Sequence, residues 1–87
     1  MKTMTRRRTI EPCDYVAMLR RMIGAAGVRV GHGDPEDVAL LLGLQDDLAE
    51  AVQASIEAQR ATGITWESIG EAVGTTRQAA IMRWGRR

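Results

Sequence analysis

A single cysteine, Cys13, leaves no intramolecular disulfide to staple this chain, which fits a reducing compartment and excludes a small secreted fold held by bridges. The one histidine, His32, stands between two glycines with no second histidine, cysteine or carboxylate at ligand spacing. It is read as a structural or simply exposed side chain. Nor is there a Cys-x-x-Cys pair, a Walker-type loop or a Ser-His-Asp set, and the two serines, Ser55 and Ser68, have no base in reach by spacing. The expectation is a protein that is not an enzyme and uses no catalytic residue, no metal and no cofactor. Long apolar runs are missing too. The longest, Val38 to Leu42, falls far short of the ~20 residues that span a bilayer. The basic start is not followed by the apolar core of a signal peptide, because Glu11, Asp14, Arg20 and Arg21 intervene. A cytoplasmic location with no membrane segment is expected.

What the chain does have is a strong separation of charge. The net charge is only +1, yet between Val30 and Gln59 there are seven acidic residues and no lysine or arginine. From Gly74 onward the order reverses, with Arg77, Arg83, Arg86 and Arg87 and no acid. Such a positive end is an electrostatic footprint for phosphate, and the acidic middle is expected to face away from it. Residues 1–9 are polar and basic without periodicity, so Lys2, Arg6, Arg7 and Arg8 are predicted to form an arm that is either solvated or in contact with phosphate.

Helical spacing dominates the remainder. Pro12 suits a first turn, and Val16, Leu19, Ile23 and Ala26 recur at helical intervals until Gly27 is predicted to end the pattern. Val28 to Gly33 reads as a glycine-rich connector. Asp34-Pro35-Glu36-Asp37 is a strong helix start, with a capping residue, a proline in the first turn and two carboxylates at the positive end of the helix dipole. A long helix over 35–62 should follow, stopped by Gly63 and weakened at Gly43.

At ~100° per residue this helix shows three faces. Val38, Leu41, Leu42, Leu48, Ala49, Val52 and Ile56 form a large apolar one. Asp46, Glu50, Gln53, Glu57 and Arg60 form a polar one, assigned to solvation. Leu40, Leu44 and then Ala51, Ala54, Ala58 and Ala61 form a third, which is predicted to pair two copies of the chain or to lie partly exposed.

The stretch from Gly63 to Trp84 is the one the chain is organised to present. Thr65 is placed to cap a short helix with Trp66, Ile69 and Val73 on its core face, and Gly74 stands where a left-handed residue ends it. Thr76 is placed to cap a second helix from Arg77 to about Trp84, in which Ala80 and Trp84 point back at the first. Gly70 lies where the two should approach most closely. Ile69-Gly70, Val73-Gly74 and Thr76-Arg77-Gln78-Ala79-Ala80 together resemble a helix-turn-helix DNA-binding motif. The phrasing is similar to the promoter-reading domain of bacterial sigma factors, and closer to small helix-turn-helix proteins of actinobacteria and their phages. Thr75 departs from that pattern, where an apolar turn residue is usual.

The resemblance implies that the second helix enters the major groove, with Thr76, Arg77, Gln78, Ile81 and Met82 facing DNA. Arginine and glutamine are the side-chain types that make bidentate contacts to guanine and adenine, so Arg77 and Gln78 are assigned to bases. Arg83, Arg86 and Arg87 are assigned to phosphates. The reading as a whole is an all-α chain of three to four helices: a basic arm over 1–9 and one helical domain over 10–87, with the helix-turn-helix at 65–84. Its expected function is selective binding of double-stranded DNA in transcriptional regulation, possible homodimerisation through the long helix included. The alternative is a protein-interaction module that binds transcription machinery or another regulator.

Overall fold

Three of the four helices among the described residues begin directly after a residue whose backbone is extended: Glu11, Thr65 and Thr76. The structure, a computed structural model, describes residues 11–85. In order they form α1 (Pro12–Val30), α2 (Pro35–Ala61), α3 (Trp66–Val73) and α4 (Arg77–Trp84), and no strand occurs among the described residues. This is the expected all-α class. The arm predicted over 1–9 lies outside the described residues.

α1 follows Glu11, whose φ of −63° and ψ of 146° are extended, and Pro12 opens the first turn. The helix does not end at Gly27. It continues to Val30 and closes at Gly31, so Val28 and Val30, read above as connector, are helical. An interior glycine weakens a helix by about 1 kcal/mol relative to alanine, which is not enough to stop one. The glycines at 31 and 33, with Pro35 following, provide the stop that Gly27 alone does not.

α2 starts as predicted. The Asp34 N–H donates to Asp37 Oδ2 at 3.0 Å, so the third residue of the helix reaches back to satisfy a backbone donor ahead of it. α2 is helical without interruption through Gly43. Its end is built by Gly63 at φ +99°, with the Gly63 N–H donating to the Arg60 carbonyl and the Ile64 N–H to the Gln59 carbonyl. That pair of bonds is a Schellman closure, which returns two helix-end carbonyls to backbone partners.

The chain divides into two compact units at Leu42 and Gly43. The first contains α1 and the opening turns of α2. No residue of α1 is buried: of the helically spaced set, Val16, Leu19 and Ile23 are exposed and Ala26 is half-buried. Val38 and Leu42 are exposed as well, and Leu41 is half-buried.

The second unit contains the remainder of α2 with α3 and α4, and its core is Ile56, Ile69 and Ala80. Val52, Trp66, Thr75, Ile81 and Trp84 are half-buried around them. Of the large apolar face assigned to α2, Ile56 alone is fully buried, and Leu48 and Ala49 are exposed. Helices of eight residues are only about 12 Å long, so α3 and α4 cover a limited length of α2. Val73, placed above on the core face of α3, is 54% exposed. The closing turn brings Thr75 inward in its place.

Gly70 fixes the spacing of this unit. A Cβ added there would lie 2.9 Å from the Thr75 carbonyl oxygen and 3.0 Å from the carbonyl carbon and oxygen of Thr76. All three are backbone atoms and cannot rotate away. At Gly43, by contrast, an added Cβ meets nothing within 4 Å. Gly70→Ala is therefore expected to lower stability by about 1–3 kcal/mol through overpacking. Gly43→Ala should raise it by roughly 0.5–1 kcal/mol through helix propensity. Denaturant unfolding of the two variants beside the parent checks both signs, and equal effects at the two glycines would refute the close-approach account.

Candidate nucleic-acid interface

α3 and α4 are joined by three residues, Gly74, Thr75 and Thr76, and each does a separate physical job. Gly74 takes φ +83° and ψ 30°, a left-handed conformation in which a side chain is strained. Its N–H donates to the Glu71 carbonyl at 3.3 Å, and the Thr75 N–H donates to the Gly70 carbonyl at 2.7 Å. This second Schellman closure brings the chain back beneath Gly70, which explains why that position has no room for a Cβ. Thr76, extended at φ −86° and ψ 163°, then caps α4: its Oγ1 accepts the Ala79 N–H at 3.0 Å. Thr65 does the same for α3, with its Oγ1 accepting the Ser68 N–H at 3.0 Å.

Two polar contacts fasten the far ends of these short helices to α2. Gln53 Nε2 donates to the Trp84 carbonyl at 2.9 Å, occupying an acceptor at the end of α4, and the same atom lies 2.8 Å from Glu57 Oε2. Arg60 Nη1 donates to the Ile64 carbonyl at 2.9 Å, and its guanidinium lies 5.1 Å from the Trp66 ring centroid, over the first residue of α3. Helical spacing alone places both side chains on a solvated face. Gln53 is half-buried and, like Arg60, holds the ends of the site in place.

With Ala80 buried and Ile81 and Trp84 half-buried, α4 exposes Arg77, Gln78, Met82 and Arg83. Gln78 and Met82 are four residues apart and share one face, and Met82 is 71% exposed. Ile81 presents less surface than the expectation of DNA contact assigned to it. Thr76 is exposed, and its hydroxyl accepts the cap bond. The Arg83 guanidinium sits 4.9 Å from the Trp84 ring centroid, stacked against a half-buried aromatic. Among the described residues no ion pair joins Arg77 or Arg83 to Glu67 or Glu71, so neither arginine is neutralised by α3. Arg86 and Arg87 lie outside the described residues.

Compared with family models, with curated proteins and with solved structures, the chain gives no match in any of the three. Among the described residues, no group of three histidine, cysteine or acidic side chains is placed to hold a metal ion, and no helix is long and apolar enough to cross a membrane.

The polar fastening has a measurable consequence. Gln53→Ala leaves the Trp84 carbonyl without its side-chain donor and should cost about 1 kcal/mol, the net worth of one such hydrogen bond. Amide exchange should speed up in the last turn of α4 and stay unchanged in the first turn of α2. Protection of α4 that matches the parent would remove Gln53 from this role.

Proposed function

We propose that α3 and α4 form a helix-turn-helix that binds double-stranded DNA, with α4 as the helix that enters the major groove. One observation carries the reading above the others. An eight-residue helix, capped at its start by Thr76 and held at its end by Gln53, presents Arg77, Gln78, Met82 and Arg83 to solvent with no acidic partner among the described residues. Packing alone gives no reason to expose that set of side chains on one short element. Base recognition does, because arginine and glutamine match the hydrogen-bonding edges of guanine and adenine, and an exposed methionine is suited to apolar contact with a thymine methyl.

The division of labour follows from position. Arg77 and Gln78 lie in the first turn of α4 and are the base readers. Arg83, in its last turn, supplies phosphate contact, and stacking on Trp84 orders the guanidinium in advance while leaving its N–H groups available. Arg86 and Arg87, next in the sequence, add two further positive charges. Thr76 serves chiefly the fold. A role in transcriptional regulation is the natural setting for such a domain. The competing reading, a protein-interaction module, has the same exposed side chains engage another protein.

On the DNA reading, Arg77→Ala and Gln78→Ala each narrow the gap between the preferred duplex and a single-mismatch duplex by roughly 1–3 kcal/mol, the worth of one bidentate contact. Arg83→Ala weakens matched and mismatched sites alike and reduces the slope of log affinity against log salt by about 1. The preferred site is first selected from a random duplex library with purified protein, and binding isotherms at several salt concentrations then separate the two kinds of effect. Failure of the parent chain to enrich any duplex would sink the proposal and favour the protein-interaction reading.

A further inference from the structure

α1 leaves a large apolar face uncovered. In the first unit no residue of this 19-residue helix is buried, and Tyr15, Val16, Leu19, Met22 and Ile23 are between 40% and 60% exposed. These five are the exposed large apolar positions of one stripe, at offsets of −4, −3, 0, +3 and +4 from Leu19, and the half-buried Ala26 continues the same face. The five exposed positions are symmetric about Leu19. Read in the opposite direction they present the same pattern, which is the property a helix needs to pack against an antiparallel copy of itself.

We infer that the protein is a homodimer in which α1 pairs antiparallel with α1 of a second copy, with Leu19 at the two-fold axis. In this register Tyr15 meets Ile23 of the second copy, Val16 meets Met22 and Leu19 meets Leu19, and symmetry repeats the first two contacts. Charge favours this register on one flank, while on the other it brings Arg20 near Arg20 of the second copy, a repulsion the favourable pairs have to outweigh. Glu11 and Arg29 lie about five turns apart and so on the same flank of the stripe. Antiparallel pairing brings Glu11 of one copy within a turn of Arg29 of the other, twice per dimer. Neither forms an ion pair within its own chain among the described residues.

The area is sufficient. Five side chains at this exposure leave a stripe of about 500 Å² on each copy, the size at which an exposed apolar patch marks an interaction site. Pairing two such stripes removes on the order of 1,000 Å², the threshold for a specific interface. The third face of α2 is a weaker candidate: Leu40 and Leu44 are exposed at its start, but Ala51, Ala54 and Ala58, also exposed, offer one methyl group each along the rest of its length. The inference does not depend on DNA binding, and its tests contain no DNA.

Sedimentation of the full 87-residue chain at tens of micromolar should give twice the chain mass. Leu19→Glu should halve it while retaining helical circular dichroism and the tryptophan emission of the second unit, and Ala54→Glu should leave it unchanged. A monomeric parent, or loss of the dimer in Ala54→Glu with retention in Leu19→Glu, overturns the inference. The register has a test of its own, made in a Cys13→Ser background. Val16→Cys and Met22→Cys chains should form a disulfide with each other when mixed under mild oxidation. Each alone should form little, because antiparallel pairing about Leu19 sets like positions about 9 Å apart along the axis, beyond disulfide reach. Efficient homodisulfides from either chain alone would exclude this register. Glu11→Arg should weaken the dimer and the added Arg29→Glu should restore it; weakening without restoration removes the flanking ion pairs.

Discussion

Everything the second unit does depends on how closely two stretches of backbone approach at Gly70. The carbonyls of Thr75 and Thr76 occupy the space in which any other residue would carry its first side-chain carbon. Closing that gap lets the Thr75 N–H reach the Gly70 carbonyl, which ends α3 and aims the chain into α4. The left-handed Gly74 makes the reversal possible, and the Thr76 cap starts the next helix immediately. Three residues therefore suffice for the connection. A longer one would add conformational freedom that a core of Ile56, Ile69 and Ala80 has little capacity to offset.

With so small a core, orientation of α4 is secured by directional contacts as much as by burial. Gln53 reaches the last residue of α4, and Arg60 reaches both the Ile64 carbonyl and the Trp66 ring. A hydrogen bond contributes only about 1 kcal/mol net, but it fixes direction in a way that apolar contact does not. A short helix that must present particular side chains in register needs direction more than it needs depth of packing.

Where local chemistry determines structure, the sequence is legible. Pro35, Gly63, Thr65, Gly74 and Thr76 mark helix ends at the positions where the ends occur, because caps and left-handed turns are set by the residue itself. The close approach at Gly70 is readable as well, from its spacing to the turn. Burial is not. Periodicity shows that Val16, Leu19, Val38 and Val73 share apolar faces, but a face is buried only if something covers it, and that is a property of the partner. Gly27 misleads because an interior glycine weakens a helix without terminating it. Gln53 and Arg60 escape a reading by helical face because what they touch is 31 residues away in one case and across a turn in the other. Arg77, Gln78, Met82 and Arg83 are exposed, whereas Ile81 is drawn partly inward by the same packing that buries Ala80.

The scarcity of aromatic side chains has an optical consequence. There is no phenylalanine, the one tyrosine, Tyr15, belongs to the first unit, and both tryptophans, Trp66 and Trp84, belong to the second. Each unit thus carries its own intrinsic chromophore. Indole emission reports on the packing of α2, α3 and α4, and phenol absorbance reports on the surroundings of α1. Comparing the two signals in one unlabelled sample distinguishes a chain that unfolds in a single cooperative step from one whose halves come apart separately.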